Sequence, residues 1–321
     1  MLTDEQVDQY LEFIKDQMTK INTVGMERIK ATEDKQIANG IMASMIDHKF
    51  ASNTVLNIFK KQVENARQNA LIESVPLEDL IGLAENDNAL CIAFGYSVGE
   101  YVNELKMYSE RAKNITIVAD RGVKWLNYRG VQIDYIVCMD AHISAEYLGE
   151  GNFEHTHMIA HIGASHDYIK KFVDQGGTVT FINTRCRFNS DYLLNEIKAF
   201  THHVYVGGNV GNAGVVVASD ILKCKDIYLF GYDFAWRDGQ YYPDTSYSPS
   251  RDDGSDMTIR EIIPRDGIRA YTNIQFDQYR KSLKILIDAM FIEKQLFVIG
   301  NISMLELGER IGKTELNKKL I

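Results

Sequence analysis

Short apolar runs rich in β-branched and aromatic residues alternate with stretches of helical spacing from about residue 88 onward. The runs are almost continuously apolar, which is typical of strands that helices cover on both faces. We expect strands at Leu90–Phe94, Ile115–Val118, Ile133–Cys138, Met158–Ile162, Thr178–Ile182, His203–Val206, Ile227–Phe230 and Leu296–Ile299. Because helices separate the strands, the pattern predicts an α/β fold with right-handed crossovers and a doubly wound, mostly parallel sheet. A ligand of such a sheet binds at the carboxyl ends of its strands.

The first 87 residues contain no strand-like run and are predicted to be helical. Apolar residues recur every three or four positions between Val7 and Ile21, and Thr3 with Gln6 matches a capping box. Further helices are expected over about 34–47 and 52–72, with Pro76 at or near the start of another. The apolar stripe of this N-terminal helical module, residues 1–87, should pack on the main domain or on another copy of the chain. The main domain should span 88–308, followed by a tail over 309–321.

Charge and composition limit the classes of partner that the protein is expected to bind and where it is expected to be located. Acidic residues outnumber basic ones by 44 to 35, so the formal net charge is −9, which disfavours nucleic acid but leaves room for a small pocket that binds one phosphate-bearing ligand. The polar N-terminus is unlike a signal peptide, and no apolar run reaches the ~20 residues of a membrane span. The four cysteines (Cys91, Cys138, Cys186 and Cys224) form no C-x-x-C pair, so we expect free thiols and a cytoplasmic location.

Two glycine-bearing turns follow predicted strands. The first begins at Gly95 and includes Ser97; a glycine there permits close backbone approach, and the N–H groups of the next helix start can bind an anion. The second turn, from Gly207 to Gly214, contains Gly208, Asn209, Gly211 and Asn212. Such a sequence suits a sharp bend that presents N–H groups to a phosphate or sugar oxygen. The alternative is a tight turn that only permits close packing of helix and strand.

Other polar residues stand at predicted strand ends or in a long polar stretch. Asp140 ends the third strand and is a candidate metal or substrate contact, and Asp233 places a carboxylate after the seventh. Residues 237–269 contain three of the four prolines and no sustained apolar period, which indicates either an active-site lid or a disordered surface insertion. Four arginines supply positive charge to a phosphate or form surface salt bridges: Arg185, Arg187, Arg265 and Arg269.

The run from Gly208 to Trp236, GNVGNAGVVVASDILKCKDIYLFGYDFAW, resembles the core of the MptE-like family. That family, once catalogued as a domain of unknown function, contains the motility-associated flagellin glycosylation factors and the archaeal 6-hydroxymethylpterin diphosphokinases. The run is also similar to the Campylobacter-type sialyltransferases, whose strand likewise ends in Gly-x-Asp-Phe. The resemblance extends upstream to the turn at Gly95 and to residues 134–140, and downstream to residues 270–273 and 297–301, so it covers residues 88 to about 308.

The resemblance implies a Rossmann-like fold and a nucleotide or nucleotide-activated sugar as ligand. It also implies the residues that bind the donor: Gly95, Ser97, Asp120, Asn183, Gly208, Asn209, Gly211, Asn212, Phe234 and Thr272. We take Asp233 and Asp140 as the catalytic candidates. Two departures stand out: Tyr96 replaces the family's usual proline, and no histidine follows His203, where the sialyltransferases carry a general base. A sugar transferase would then need another proton acceptor or an acidic acceptor substrate.

Four histidines lie within twelve residues: His155, His157, His161 and His166. They lack the H-E-x-x-H spacing of zinc enzymes, and magnesium in phosphate chemistry prefers carboxylates, so we expect structural or solvent-exposed histidines.

The leading hypothesis is a glycosyltransferase that uses a nucleotide-activated sugar, such as a CMP-linked nonulosonic acid, and a protein or glycan acceptor. The enzymatic alternative transfers diphosphate from ATP to a pterin alcohol, with Mg²⁺ held by carboxylates such as Asp120, Asp140 or Asp233. A third hypothesis is a nucleotide-binding or assembly protein that has lost catalysis.

Overall fold

The computed structural model describes residues 3–31, 56, 58–184, 194, 197, 203–243, 259–264, 266–290, 292, 295–300, 303–306 and 308–320. Within these residues, nine strands form one parallel sheet. They are β1 Asn88–Ile92, β2 Asn114–Ala119, β3 Tyr135–Cys138, β4 His157–His161, β5 Thr178–Thr184, β6 His203–Val204, β7 Asp226–Phe230, β10 Leu296–Ile299 and β11 Glu309–Ile311. A separate antiparallel hairpin consists of β8 Arg260–Ile262 and β9 Ala270–Thr272. The parallel, Rossmann-like α/β sheet expected from the sequence is confirmed.

The strand order is β11-β10-β7-β1-β2-β3-β4-β5-β6. The chain therefore builds outward from β1 to β6, returns to the other side of β1 with β7, and continues outward to β11. The connections leave β1 and β7 in opposite directions, so a crevice opens between their carboxyl ends. This switch point between β1 and β7 is the place where the fold itself predicts a ligand.

Helices cover both faces of the sheet. They are α1 Asp4–Ala31, α2 over 58–69, α3 Val102–Ser109, α4 Val123–Tyr128, α5 His166–Asp174, α6 Val210–Val216, α7 Ile274–Met290 and α8 Lys313–Leu320. Successive residues of β1 alternate between the faces: Leu90 and Ile92 pack with α1–α5 and α8, whereas Ala89 and Cys91 pack with α6 and α7. Burial on both sides explains the continuous apolar runs.

The N-terminal module packs on the sheet through α2. Thr3 and Gln6 form the expected capping box, with Thr3 N–H to Gln6 Oε1 at 2.8 Å and Gln6 N–H to Thr3 Oγ1 at 3.3 Å. The apolar stripe of α1 lies in the same buried cluster as Phe59 and Val63 of α2 and the strands behind them. The helix expected over 34–47 lies outside the described residues. Of the described helices, none has both the length and the apolar character needed to cross a bilayer.

The residues set apart as a tail belong to the core. Residues 309–311 form the edge strand β11, and α8 buries Leu316 and Leu320 against the face that carries α1 to α5. The sequence prediction omitted β8, β9 and β11, because three-residue strands carry too few positions for a periodic pattern.

Leu316→Ala should lower the free energy of unfolding by about 2–5 kcal/mol, because it leaves a cavity at a fully buried position. Lys318→Ala on the exposed face of the same helix should change it by less than about 0.5 kcal/mol. Urea unfolding followed by circular dichroism measures both values. Equal stability of the two variants would show that α8 is dispensable for the domain.

Candidate functional site

The main chain of the turn after β1 contacts the main chain at the end of β7. Phe94 is fully buried in a left-handed conformation with a φ of 62°, and Gly95 N–H donates to Gly231 O at 3.1 Å. A Cβ on Gly95 would lie 2.3 Å from Gly231 O and 2.7 Å from Asp233 Oδ2. Only glycine therefore fits between the two strand ends.

Asp233 links these ends through its carboxylate. Ser97 N–H donates to Oδ2 at 2.8 Å, and Ser97 Oγ donates to Oδ1 at 2.6 Å. Both residues are buried, and burial raises the pKa of Asp233 to about 6 against the two bonds from Ser97, which lower it. In this conformation Asp233 holds the Ser97 turn in place across the switch point.

The second glycine turn is built for a sharp bend. Gly207 and Gly208 have φ values of 67° and 83°, and Asn209 caps α6 by accepting the N–H of Asn212 at 3.0 Å. The Asn212 side chain donates to Gly207 O and to Tyr279 O, each at 3.0 Å, which ties the turn to α7. A helix start leaves first-turn N–H groups without intrahelical acceptors, so these groups can serve an anion.

The two turns meet at the end of β1. A Cβ on Gly211 would lie 2.9 Å from Ala93 Cβ, and the hydroxyl of Tyr232, which follows β7, donates to Gly211 O at 2.6 Å. Both glycine-bearing bends thus lie at the carboxyl edge of the sheet and meet at residues 93–95. We call this junction the glycine cradle: residues 93–97, 207–212 and 231–233.

Two carboxylates end the strands beyond β1. Asp120 follows β2 and accepts the N–H groups of Arg121 at 2.8 Å and Met139 at 3.3 Å. Its burial, and next the charge of Asp140, raise its pKa to about 7. Asp140 follows β3, is exposed, and accepts the N–H of His142 at 2.8 Å. Of these two groups, Asp140 is the one open to a ligand.

The remaining predicted residues lie at varied distances from the cradle. Thr272 Oγ1 donates to Phe234 O at 2.8 Å, which fastens β9 to the segment that follows Asp233. Phe234 itself has a φ of 52° and is partly exposed. Asn183 is buried in β5, separated from β1 by three strands, and its Oδ1 accepts Thr184 N–H at 2.9 Å. The structure therefore groups the two turns with Asp233, Phe234 and Thr272, and places Asn183 apart.

Sequence reasoning missed a cation beside the cradle. The guanidinium of Arg121 lies 4.4 Å from the ring centroid of Tyr147 and 4.2 Å from that of Tyr242, and it donates to the Tyr147 hydroxyl at 2.9 Å. Tyr242 also stacks on Phe94, with ring centroids 5.8 Å apart. The sequence signal that could have identified Arg121 is its position directly after Asp120, at the end of a predicted strand. The start of the 237–269 stretch therefore packs on the cradle, and its role as a lid stays a prediction.

The other candidate charges and histidines lie elsewhere. Arg185, Arg187 and Arg265 are outside the described residues, and Arg269 pairs with Glu261 at 3.0 Å. His157 contacts the hydroxyls of Thr178 and Thr180 at 2.8 and 2.9 Å, and His166 contacts Asn69 Oδ1 at 2.9 Å. In the part of the chain that the structure describes, no three His, Cys, Asp or Glu residues are grouped so as to hold a metal ion.

Comparison with known proteins identifies the family. The model of the family described as "6-hydroxymethylpterin diphosphokinase MptE-like" matches residues 60–239, more than half of the chain. The chain belongs to the MptE-like family. The match includes most of α2, the glycine cradle, Asp120, Asp140 and Asp233.

One solved structure similar to this MptE-like protein is the MAf glycosyltransferase from Magnetospirillum magneticum AMB-1. The TM-score is 0.57 and the sequence identity is 14%, over 87% of this chain and 44% of that protein. The likeness shows a shared fold, and the chain spans less than half of the larger protein. A search of curated proteins gives no match.

Gly95→Ala should destabilise this MptE-like protein by about 1–3 kcal/mol, because the added methyl group overlaps Gly231 O. Gly99→Ala, four residues later, is the control: its Cβ would meet only Pro243 Cβ at 3.4 Å. Urea denaturation of both variants tests the close approach at the switch point. Two variants of equal stability would contradict it.

Asp120→Asn should become more stable relative to the natural protein as the pH rises. Folded Asp120, with a pKa of about 7, binds a proton more readily than it does in the unfolded chain, so its contribution to stability falls as the pH passes through 7. The difference in unfolding free energy should shift by about 1 kcal/mol between pH 6 and 8. Burial lowers the pKa of His157 to about 4, so the contribution of His157 to stability rises with pH. This contribution is the same in both proteins and cancels in the difference. Parallel pH profiles would show that Asp120 is ionised throughout.

Proposed function

We propose that this MptE-like protein is a glycosyltransferase that binds a nucleotide-activated sugar at the glycine cradle. The observation that carries the proposal is the meeting of two glycine-bearing turns at the β1/β7 switch point. The start of α6 offers first-turn N–H groups, and a Cβ built on Gly208 would meet no atom within 4 Å, which leaves room for a diphosphate or phosphate at the backbone of the second turn. The glycosyltransferase named among the solved structures shares this fold and supports the choice of reaction.

Catalysis in this proposal rests on positioning and on stabilising the departing phosphate. The first-turn N–H groups of α6 bind the phosphate, and Arg121, stacked between two tyrosines, supplies positive charge beside it. Asp233 acts as a positioning residue, because both of its oxygens hold the Ser97 turn. Asp140 is exposed at the neighbouring edge and is the carboxylate available to accept the acceptor's proton.

The donor that we propose is a CMP-linked nonulosonic acid, on the resemblance of the Gly-x-Asp-Phe segment at 231–234 to the Campylobacter-type sialyltransferases. The acceptor is a protein or glycan hydroxyl. The acceptor hydroxyl oxygen bonds to the anomeric carbon of the sugar while the bond from that carbon to the phosphate oxygen breaks, and CMP departs with the bonding electrons. The acceptor hydroxyl then loses its proton to a carboxylate such as Asp140.

The family description favours one alternative, diphosphate transfer from ATP to a pterin alcohol. That reaction uses Mg²⁺ to neutralise the transferred phosphates. Asp140 offers an exposed carboxylate oxygen for the ion, whereas Asp120 and Asp233 are buried and bonded to N–H or O–H donors. The donor set fits a magnesium ion held by one carboxylate together with the phosphates of ATP.

Nucleotide binding distinguishes the two reactions. A ligand at 100 times its dissociation constant stabilises the fold by about 2.7 kcal/mol, which raises the melting temperature by several degrees. We expect CMP or CDP to stabilise the protein without a metal in thermal-shift measurements that also include UDP, GDP and ATP, each with and without Mg²⁺. Stabilisation by ATP only in the presence of Mg²⁺ would favour the diphosphokinase, and no response to any nucleotide would refute both.

Substitutions of two glycines on α6 test whether the nucleotide binds at the glycine cradle. Gly211→Ala should abolish the nucleotide-induced shift, because its methyl group would displace the second turn from Ala93. Gly214→Ala is the control, since its Cβ would lie 3.4 Å from the Tyr232 hydroxyl, an ordinary contact. Equal nucleotide responses in the two variants would move the site away from the cradle.

A further inference from the structure

The N-terminal helix α2 contacts the turns that follow β3 and β4 through two buried asparagines. Asn65 Nδ2 donates to Ala141 O at 3.0 Å and to Gly163 O at 3.1 Å. Asn69 Nδ2 donates to Ile162 O at 2.8 Å and to Ala164 O at 2.9 Å. Each side chain uses both of its donor hydrogens, and each is almost completely excluded from solvent.

The two asparagines differ in what they hold. Both donor hydrogens of Asn69 go to the turn after β4, and its Oδ1 contacts His166 at the start of α5. Asn65 joins two turns, because one of its carbonyl partners follows β4 and the other belongs to Ala141, the residue after Asp140. A further bond, Ser165 N–H to Asp140 O at 3.0 Å, ties the same two turns together.

Helix α2 packs closely on the turn after β4, to which the Asp140 turn is bonded. A Cβ on Gly163 would lie 2.8 Å from Gln62 Cβ, so helix and turn are packed at the limit that glycine allows. The carbonyls of the two turns point at α2 and are satisfied by it, because buried carbonyl groups require donors. The main chain of Asp140 is held in this way, and its exposed carboxylate accepts His142 N–H at 2.8 Å at the sheet edge.

We propose that Asn65 is a positioning residue for Asp140, so that the N-terminal module forms a working part of the ligand site. The module thus has a role in ligand binding in addition to covering the sheet. The ligand groups that Asp140 would contact are a hydroxyl of the nucleotide-activated donor or a metal ion on its phosphates, both of which carboxylates bind, and in the transfer step the same carboxylate accepts the acceptor's proton. This inference rests on the proposed function, because it assigns Asp140 to that site.

A double-mutant cycle tests the coupling. The probe is whichever nucleotide stabilises the natural protein, and calorimetry gives the dissociation constants for Asn65→Ala, Asp140→Asn and the double variant. We expect each single change to weaken binding on the order of tenfold, and the double variant to bind no more weakly than Asp140→Asn alone. Asn69→Ala is the control: it removes two similar bonds from the same helix, together with the contact to His166, and should leave the dissociation constant within about twofold. Independent, multiplicative losses from Asn65 and Asp140 would overturn the proposal.

Hydrogen exchange gives a readout that needs no ligand. Asn65→Ala should accelerate exchange of the amide of His142, which is bonded to Asp140 Oδ1, at least tenfold more than Asn69→Ala does. If Asn65→Ala does not fold, Asn65→Gln, which retains the amide but displaces it by one methylene group, replaces it with the same expectations. Absence of nucleotide binding in the natural protein would refute the proposed function alone, whereas unchanged exchange at His142 would refute the role of Asn65.

Discussion

The bond between the Asp233 carboxylate and the Ser97 turn is the interaction on which the rest of the site depends. It joins the strands β1 and β7, whose connections leave in opposite directions and would otherwise leave a gap between their ends. Two donors on one carboxylate compensate for its burial, although burial still raises the pKa of Asp233 to about 6. The glycines at 95 and 231 are required because any side chain would occupy the space that this link closes.

The site combines rigid and open parts. Asp120, Asp233 and Ser97 are buried and bonded internally, which fixes the backbone of the turns at the strand ends. Asp140 is exposed at the edge of this framework, with its turn bonded to α2. In a site of this kind the groups are already positioned by folding, so that little reorganisation is needed when a ligand binds. The buried polar groups provide the framework, and the exposed ones are left for chemistry.

Much of the fold follows from the sequence, and the physical reason is periodicity. Eight of the nine parallel strands were predicted within a few residues, because strands buried on both faces must be apolar throughout. The hairpin β8–β9 and the strand β11 were missed, since three residues are too few to show a pattern. The contacts of α2 could not be predicted from the sequence either. Nothing in the spacing of Asn65 and Asn69 indicates that their partners are carbonyls about 75 to 100 residues later.

The sequence by itself determined the α/β class, the helical N-terminus, the two glycine turns and the family resemblance, because these depend on local propensity and on residue order. The tertiary structure alone decided which of the candidate residues share a site. It brought Gly95, Gly211 and Asp233 to one switch point, placed Asn183 in β5 with three strands between it and β1, and added Arg121 with its tyrosines. The reason is that strand order is set by long-range packing, and a chain that winds outward from β1 and returns as β7 joins residues more than 130 positions apart.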